Sequence, residues 1–268
     1  MAKIFQYYFN PSKKTKKDRP FFDCFYLTPK NSQEKRLGHL LFLAEFYPPF
    51  PEAQSLFSDL KQIIECNFYK KNNSTTESAV KTTLEKVNSF LSKKLNKEES
   101  APLDSLNLGL LAFNKENHLY VTKIGKIKIL LLSEEQAFSI DQNLSSYPTL
   151  ERPFPNIAEG TARKRDLVLI TSPLVFENLL HLRLVEKLTL LQSPKQIKQG
   201  FQEKKDVLKQ IFGCCLIVFI TKKSRPIKQG NPFLSMPLTA ENQQRLKHLL
   251  SVLVLFILLF LGYLLFKR

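Results

Sequence analysis

Cysteine is scarce in this chain. The four residues Cys24, Cys66, Cys214 and Cys215 make no CxxC pair and no disulfide framework, which excludes a small stapled scaffold and places the protein in a reducing compartment. Glycine is also sparse, eight in 268 residues, and none of the patterns GxxxxGKS/T, GxGxxG or GxSxG occurs, so phosphate-cradling loops and the nucleophile elbow are excluded. His39, His118, His181 and His248 are scattered, with no pair at metal-ligand spacing. Acids are outnumbered, 24 Asp+Glu against 40 Lys+Arg, for a net charge of +16. Such an excess suggests a polyanionic partner, either nucleic acid or an anionic membrane surface. What is plentiful is apolar surface: 43% hydrophobic residues exclude a wholly disordered protein, and the length allows one large domain or two small ones.

The charge is unevenly placed. Residues 1–36 carry nine basic and three acidic side chains, and Lys222, Lys223, Arg225 and Lys228 add four more charges without an acid. Arg245, Lys247, Lys267 and Arg268, against Glu241, flank the run Leu249–Phe266, which holds no charge over 18 residues. As a helix that run spans about 27 Å, close to the hydrocarbon thickness of a bilayer. It is apolar on every face, so it is expected to be a transmembrane helix, with Tyr263 suited to the interface. The first residues have no apolar segment of a signal peptide, and more Lys/Arg precede the span than follow it. The expected protein is tail-anchored and single-pass, with residues 1–245 on the cytoplasmic side. The organisation expected is a basic N-terminal arm over 1–20, a folded domain over 21–221, a basic Pro-containing linker over 222–238, and an anchor helix over 239–268 with Thr239 as its N-cap. The aromatics Phe5, Tyr7 and Tyr8 in the basic arm suit nucleic acid in principle. Beside a membrane anchor, contact with anionic lipid is the better reading.

Within 21–221 the hydrophobic period alternates between two and 3.6. Phe21–Thr28 and His39–Phe46 read as strands joined by a polar turn. Leu56, Leu60, Ile63, Ile64 and Phe68 fall at helical spacing, as do Val80, Leu84, Val87, Leu91 and Leu95. A meander follows over Leu106–Phe113, His118–Ile124 and Ile127–Leu132, with Ala137–Ile140 as a further strand. Residues 141–165 read as a long loop and Asp166–Thr171 as a strand. Pro173 opens a helical run to Gln192, Ser193-Pro194 starts another, and Cys215–Thr221 closes as a strand. This is an α+β order, with sheets covered by helices.

The order and its local wording resemble the PPM-type (metal-dependent, type 2C) protein phosphatase family. The resemblance runs from about Phe21 to Thr221. Asp23-Cys-Phe-Tyr-Leu is similar to the first-strand acidic motif, and Leu41–Glu45 to the strand leading into Asp-Gly. Val80–Leu91, with Asn88, is similar to the second helix. The hairpin around Gly125, the segment Arg165–Leu179 and the strand Gly213–Ile220 are similar to the hairpin ending in Gly-Asp, the strand entering Ser-Asp-Gly and the strand opening with Asp-Asn. The resemblance implies a β-sandwich flanked by helix pairs. It also implies two divalent metals held by carboxylates, activating a water that attacks a phosphoserine or phosphothreonine.

Most of the implied ligands are missing. Asp23 remains. Asp-Gly reads Glu45-Phe46, Gly-Asp reads Gly125-Lys126, Ser-Asp-Gly reads Ser172-Pro173-Leu174, and Asp-Asn reads Gly213-Cys214. The phosphate-binding arginine has only Arg19 nearby, one position out of register. Lys126 either points into the former metal site, pairing with Asp23 or Glu45, or points to solvent. Asp166 and Asp104-Ser105 read as turn residues, and Cys214-Cys215 as buried, inert thiols. The expectation is a membrane-tethered pseudophosphatase acting as a binding or regulatory module. No catalytic, cofactor or metal residue is assigned, and its partner is a kinase, a phosphoprotein or anionic lipid rather than nucleic acid. The alternative is a divergent Ser/Thr phosphatase using Mn or Mg.

Overall fold

The computed structural model describes residues 2–10, 19–70, 73–95, 103–144, 149–191 and 193–221. The linker 222–238 and the segment 239–268 lie outside them, the expected membrane span included. Among the described residues no helix is long and apolar enough to cross a membrane.

Among the described residues ten strands and seven α-helices follow in chain order. They are β1 (Ala2–Phe9), β2 (Phe21–Leu27), α1 (Ser32–Leu37), β3 (His39–Phe46), α2 (Ala53–Phe68), α3 (Thr76–Leu95), β4 (Leu106–Phe113), β5 (His118–Ile124), β6 (Lys128–Ser133), β7 (Gln136–Ser139), β8 (Ala158–Thr161), β9 (Leu167–Thr171), α4 (Pro173–His181), α5 (Leu184–Thr189), α6 (Pro194–Glu203), α7 (Lys205–Leu208) and β10 (Gly213–Ile220). One sheet is ordered β1-β10-β9-β6-β7 and the other β2-β3-β4-β5-β8, each antiparallel throughout.

Three apolar cores stack the layers. Leu41, Leu43, Val121, Ile129, Ile170 and Leu216 fill the space between the sheets. Leu40, Phe42 and Leu108, on the opposite face of the second sheet, meet Leu60 and Ile64 of α2 and Val87 and Leu91 of α3. Leu130, Leu169 and Ile217, on the outer face of the first sheet, meet Val175, Leu188 and Ile197 of α4–α6. The order is therefore helix, sheet, sheet, helix. Covering on both faces explains why β4 and β10 are buried at every position and why apolar residues follow one another along them, Asn107 being the one polar side chain in β4.

Four expectations are corrected. Residues 2–9 are a strand of the first sheet, paired with β10 from Ala2↔Ile220 to Phe9↔Gly213, where a basic arm was expected. Phe5, Tyr7 and Phe9 alternate onto the helix-covered face, and ring stacking of Tyr7 on Phe201 at 4.3 Å fixes the strand there. The polar turn after β2 contains α1, because Asn31 accepts from the Glu34 amide at 2.9 Å while Glu34 accepts from the Lys30 amide, a reciprocal cap. The 141–165 loop contains β8, whose Ala-Glu-Gly-Thr sequence alternates between half-buried and exposed and gives no apolar signal. The helical run after Pro173 breaks at Arg183, which adopts a left-handed conformation at φ 52°.

Candidate functional site

The residues aligned with the phosphatase motifs gather at one end of the sandwich. Leu41, Leu43 and Glu45 alternate on β3, and this sends Glu45 toward the space between the sheets. Glu45 lies opposite Phe22 on β2 and Asn107 on β4. Asn107 accepts a 2.7 Å bond from the Lys126 amide, which ties the β5–β6 turn to this end. Gly125 sits there at φ +70°, where an added Cβ would lie 2.4 Å from the Leu106 carbonyl oxygen, so the tight turn requires glycine. Across the gap, the Ser172 amide donates to the Cys214 carbonyl at 3.1 Å. Gly213, at φ +141°, lies so close that a Cβ would meet Ser172 Oγ at 2.2 Å.

Glu45 is 5% exposed, and burial pushes its carboxyl up to about 7, with the neighbouring Ser172 hydroxyl offsetting part of the rise. The Ser172 hydroxyl lies beside the Glu45 carboxyl, but among the described residues neither Glu45 Oε2 nor Ser172 Oγ, both buried, has a partner in good hydrogen-bonding geometry. Cys214 lies against Cys24 from the other sheet, and complete burial pushes its thiol well above the ordinary range. All four cysteines are free; Cys214 and Cys215 are buried, as expected for that pair, Cys66 is exposed, and the bond from Cys214 holds the Cys24 thiol below its ordinary value.

Asp23 does not join Glu45. It pairs with Ala44, one position out of phase, so strand alternation puts the two carboxylates on opposite faces of the ladder. Asp23 Oδ1 accepts from the Tyr8 hydroxyl at 2.6 Å and from the Cys24 amide at 2.7 Å. Burial and the Asp23 bond push the Tyr8 phenol upward. Lys126 is exposed and forms no ion pair with Asp23 or Glu45 among the described residues, so the solvent-facing alternative holds. Arg19 places its guanidinium 4.5 Å from the centre of the Phe212 ring, next to Gly213. Asp166 accepts from the Arg163 amide at 2.6 Å, and Ser105 closes a short turn whose carbonyl takes the Tyr47 amide at 2.9 Å. Both are structural.

The sequence reading passed over Asn107 and, having placed Tyr8 only among the aromatics of the basic arm, the contact of Tyr8 with Asp23. Asn107 had a signal, as the one polar side chain in an otherwise apolar β4. The Tyr8–Asp23 contact had none, because the two residues are 15 apart and in different sheets.

A two-metal centre needs several convergent oxygen ligands. The donors here are one buried carboxylate, a hydroxyl, an amide and a buried thiol. Among the described residues no group of three or more His, Cys, Asp or Glu is placed to hold a metal ion. This donor set does not fit the two metals that the fold implies.

No family model and no curated protein sequence matches the chain. Solved structures do. RsbX in complex with magnesium is similar at a TM-score of 0.54 and 14% identity, over 81% of this chain and 94% of that one. The serine/threonine phosphatase of S. agalactiae is similar at 0.56 and 9%, over 83% and 100%. The phosphatase domain of SpoIIE from Bacillus subtilis is similar at 0.51 and 12%, over 87% and 97%. The described residues have the PPM phosphatase fold. In a Mycobacterium tuberculosis structure containing RsbU and RsbW domains the chain spans 62% of the length, at a TM-score of 0.55 and 14% identity. The PPM fold accounts for the corner around Glu45: it brings the ends of β3, β4, β9 and β10 and the β5–β6 turn together whatever side chains they carry.

Proposed function

We propose that the protein is a membrane-tethered, PPM-fold binding or regulatory module without metal-dependent phosphatase activity. The observation that carries this reading is the isolation of Glu45: the one other motif carboxylate, Asp23, faces the opposite side and is held by Tyr8. Water activation by two cations needs a concentration of negative charge that this corner lacks. The tether is the 249–266 run, with its basic flanks against anionic headgroups at about 1 kcal/mol per Lys or Arg near the surface. The folded domain then sits at the cytoplasmic face, where a kinase or phosphoprotein is the partner. The test is phosphopeptide turnover by the detergent-solubilised full chain with Mn²⁺ or Mg²⁺. The expected result is no release of phosphate above a Glu45→Ala control.

A second reading is a divergent metal-dependent Ser/Thr phosphatase. It is favoured by the two unpartnered polar atoms at Glu45 and Ser172, since buried polar groups ordinarily find a partner. Turnover that needs Mn²⁺ and disappears in Glu45→Gln and Asp23→Ala would establish it and overturn the first.

A further inference from the structure

The four sheet edges are not equally protected. β7 and β8 are four residues each, too short to template much pairing. The β2 edge is capped at Cys24, whose carbonyl accepts from the Gln6 amide at 2.7 Å and the Tyr8 hydroxyl at 2.9 Å. β1 differs. It pairs with β10 over all eight residues without a bulge, contains no proline, and among the described residues has no strand on its other side. A long, regular, unpaired edge of this kind is a template for another strand.

A cavity of about 550 Å³ lies along that edge. Every residue from Ile4 to Asn10 lines it. A cavity over one face of a strand would meet alternate residues, so lining by seven consecutive ones means that it follows the backbone edge. Its far wall is α6–α7. Phe201 and Leu208 supply apolar surface at the base, and Lys198, Gln202, Lys205 and Lys209 form an exposed row above it. Lys198 and Lys205 have no carboxylate partner among the described residues. Lys209 pairs at 3.2 Å with Asp206, which is itself 95% exposed, a weak surface pair that a ligand displaces at little cost. Among the described residues no acidic side chain lines the cavity.

We infer that the groove between β1 and α6–α7 is a docking site for an extended acidic peptide, which adds to the first sheet as a strand beside β1. An open edge offers backbone bonds, and side-chain positions on the facing helix select the sequence. The seven-residue stretch accommodates roughly 20 Å of extended chain, about six residues at ~3.4 Å each. Alternate side chains of an added strand face the helices, so acidic residues at every second position meet the lysine row, while the intervening residues face the other way. The site uses none of Glu45, Ser172 or Cys214. It names the partner chemistry for the binding role proposed above and rests on that reading only there: phosphopeptide turnover decides that reading, and strand protection decides this one.

The test uses the full chain in neutral phosphatidylcholine nanodiscs with a labelled six-residue probe alternating Glu and Thr. The expected result is saturable binding that weakens at least tenfold from 50 to 300 mM salt, with slowed hydrogen exchange of the outward amides of β1. Methylating one alternate set of the probe's backbone amides should abolish binding, while methylating the other set should not. The double variant Lys198→Glu/Lys205→Glu, altered only at exposed positions, should bind at least tenfold more weakly. A probe with Glu and Thr in two separate blocks should bind poorly. Absence of binding, binding without β1 protection, or equal tolerance of both methylation patterns would each overturn the proposal. So would β1 protection that appears only when phosphatidylserine replaces part of the lipid, which would assign the groove to lipid headgroups.

Discussion

Glu45 carries a pH dependence whose sign follows from its burial. Its carboxyl titrates near 7 in the folded protein against an ordinary value of 4.5, so the folded state holds the proton more tightly than the unfolded chain. Its contribution to stability is therefore greatest below about pH 4.5, falls as pH rises from there toward 7, and levels off above, with a total loss of roughly 3 kcal/mol. Glu45→Gln removes the ionisation. At pH 8 the variant should be more stable than the parent by about 2 kcal/mol, and denaturation midpoints at pH 5, 6, 7 and 8 should lose this part of their slope. Millimolar Mn²⁺ should leave the parent profile unchanged, because a bound cation would pull the titration down and reverse the trend. Gly213 is the second sensitive residue in this corner. Its φ of +141° and the 2.2 Å approach of a Cβ to Ser172 Oγ make Gly213→Ala a combined backbone and packing error. The expected cost is about 3 kcal/mol by chemical denaturation.

Between elements, the ion pair of Lys123 and Asp141 joins β5 of one sheet to the segment following β7 of the other. Their side chains are 13% and 2% exposed. Asp141 also accepts from the Ser139 hydroxyl at 2.5 Å, and Lys123 donates to the Ile127 carbonyl at 3.2 Å. Removing one partner strands the other charge away from water. Asp141→Asn should cost about 3–5 kcal/mol, whereas the joint replacement Lys123→Met/Asp141→Leu should cost less than either single change. Neither residue stood out in the sequence, where Lys123 sits mid-strand and Asp141 opens what read as a loop. The same limit marks what was legible. Strands β3, β4 and β5 could be read directly as short, largely apolar stretches bounded by polar turns, and helices α2 and α3 because their apolar residues recur at helical spacing. The family's fold followed from their order. β1 was hidden by composition: Lys3 and the lysines after Asn10 made an alternating strand look like a charged arm. At the site, the losses at Lys126 and Cys214 were visible as residue types. The separation of Asp23 from Glu45 was not, because it depends on cross-strand register. Deleting residues 2–9 tests the correction. An arm could be removed without consequence, but loss of an edge strand exposes β10 and the Phe201 surface. The deleted chain should be recovered mainly as aggregate in size-exclusion chromatography.

For the molecule as a whole, the net charge of +16 first suggests a polyanion such as nucleic acid. Its distribution argues otherwise, since residues 37–221 hold 23 basic and 20 acidic side chains and are nearly balanced. The excess lies toward the N-terminus, in 222–228, and around the uncharged 249–266 run. On the proposed tethering these are segments beside a bilayer, where the excess of Lys and Arg before the run, compared with Lys267 and Arg268 after it, sets the orientation. Two measurements should agree. Alkaline carbonate should leave the full chain in the membrane pellet and release a variant lacking 249–268. Protease added to inverted vesicles should digest the folded domain, while protease added to right-side-out vesicles should leave it whole. High salt should release neither form of the intact chain, because a span of 18 apolar residues is held by hydrophobic transfer that ions do not screen. Release by 1 M salt alone would instead make the attachment electrostatic and reduce the apolar run to a peripheral contact.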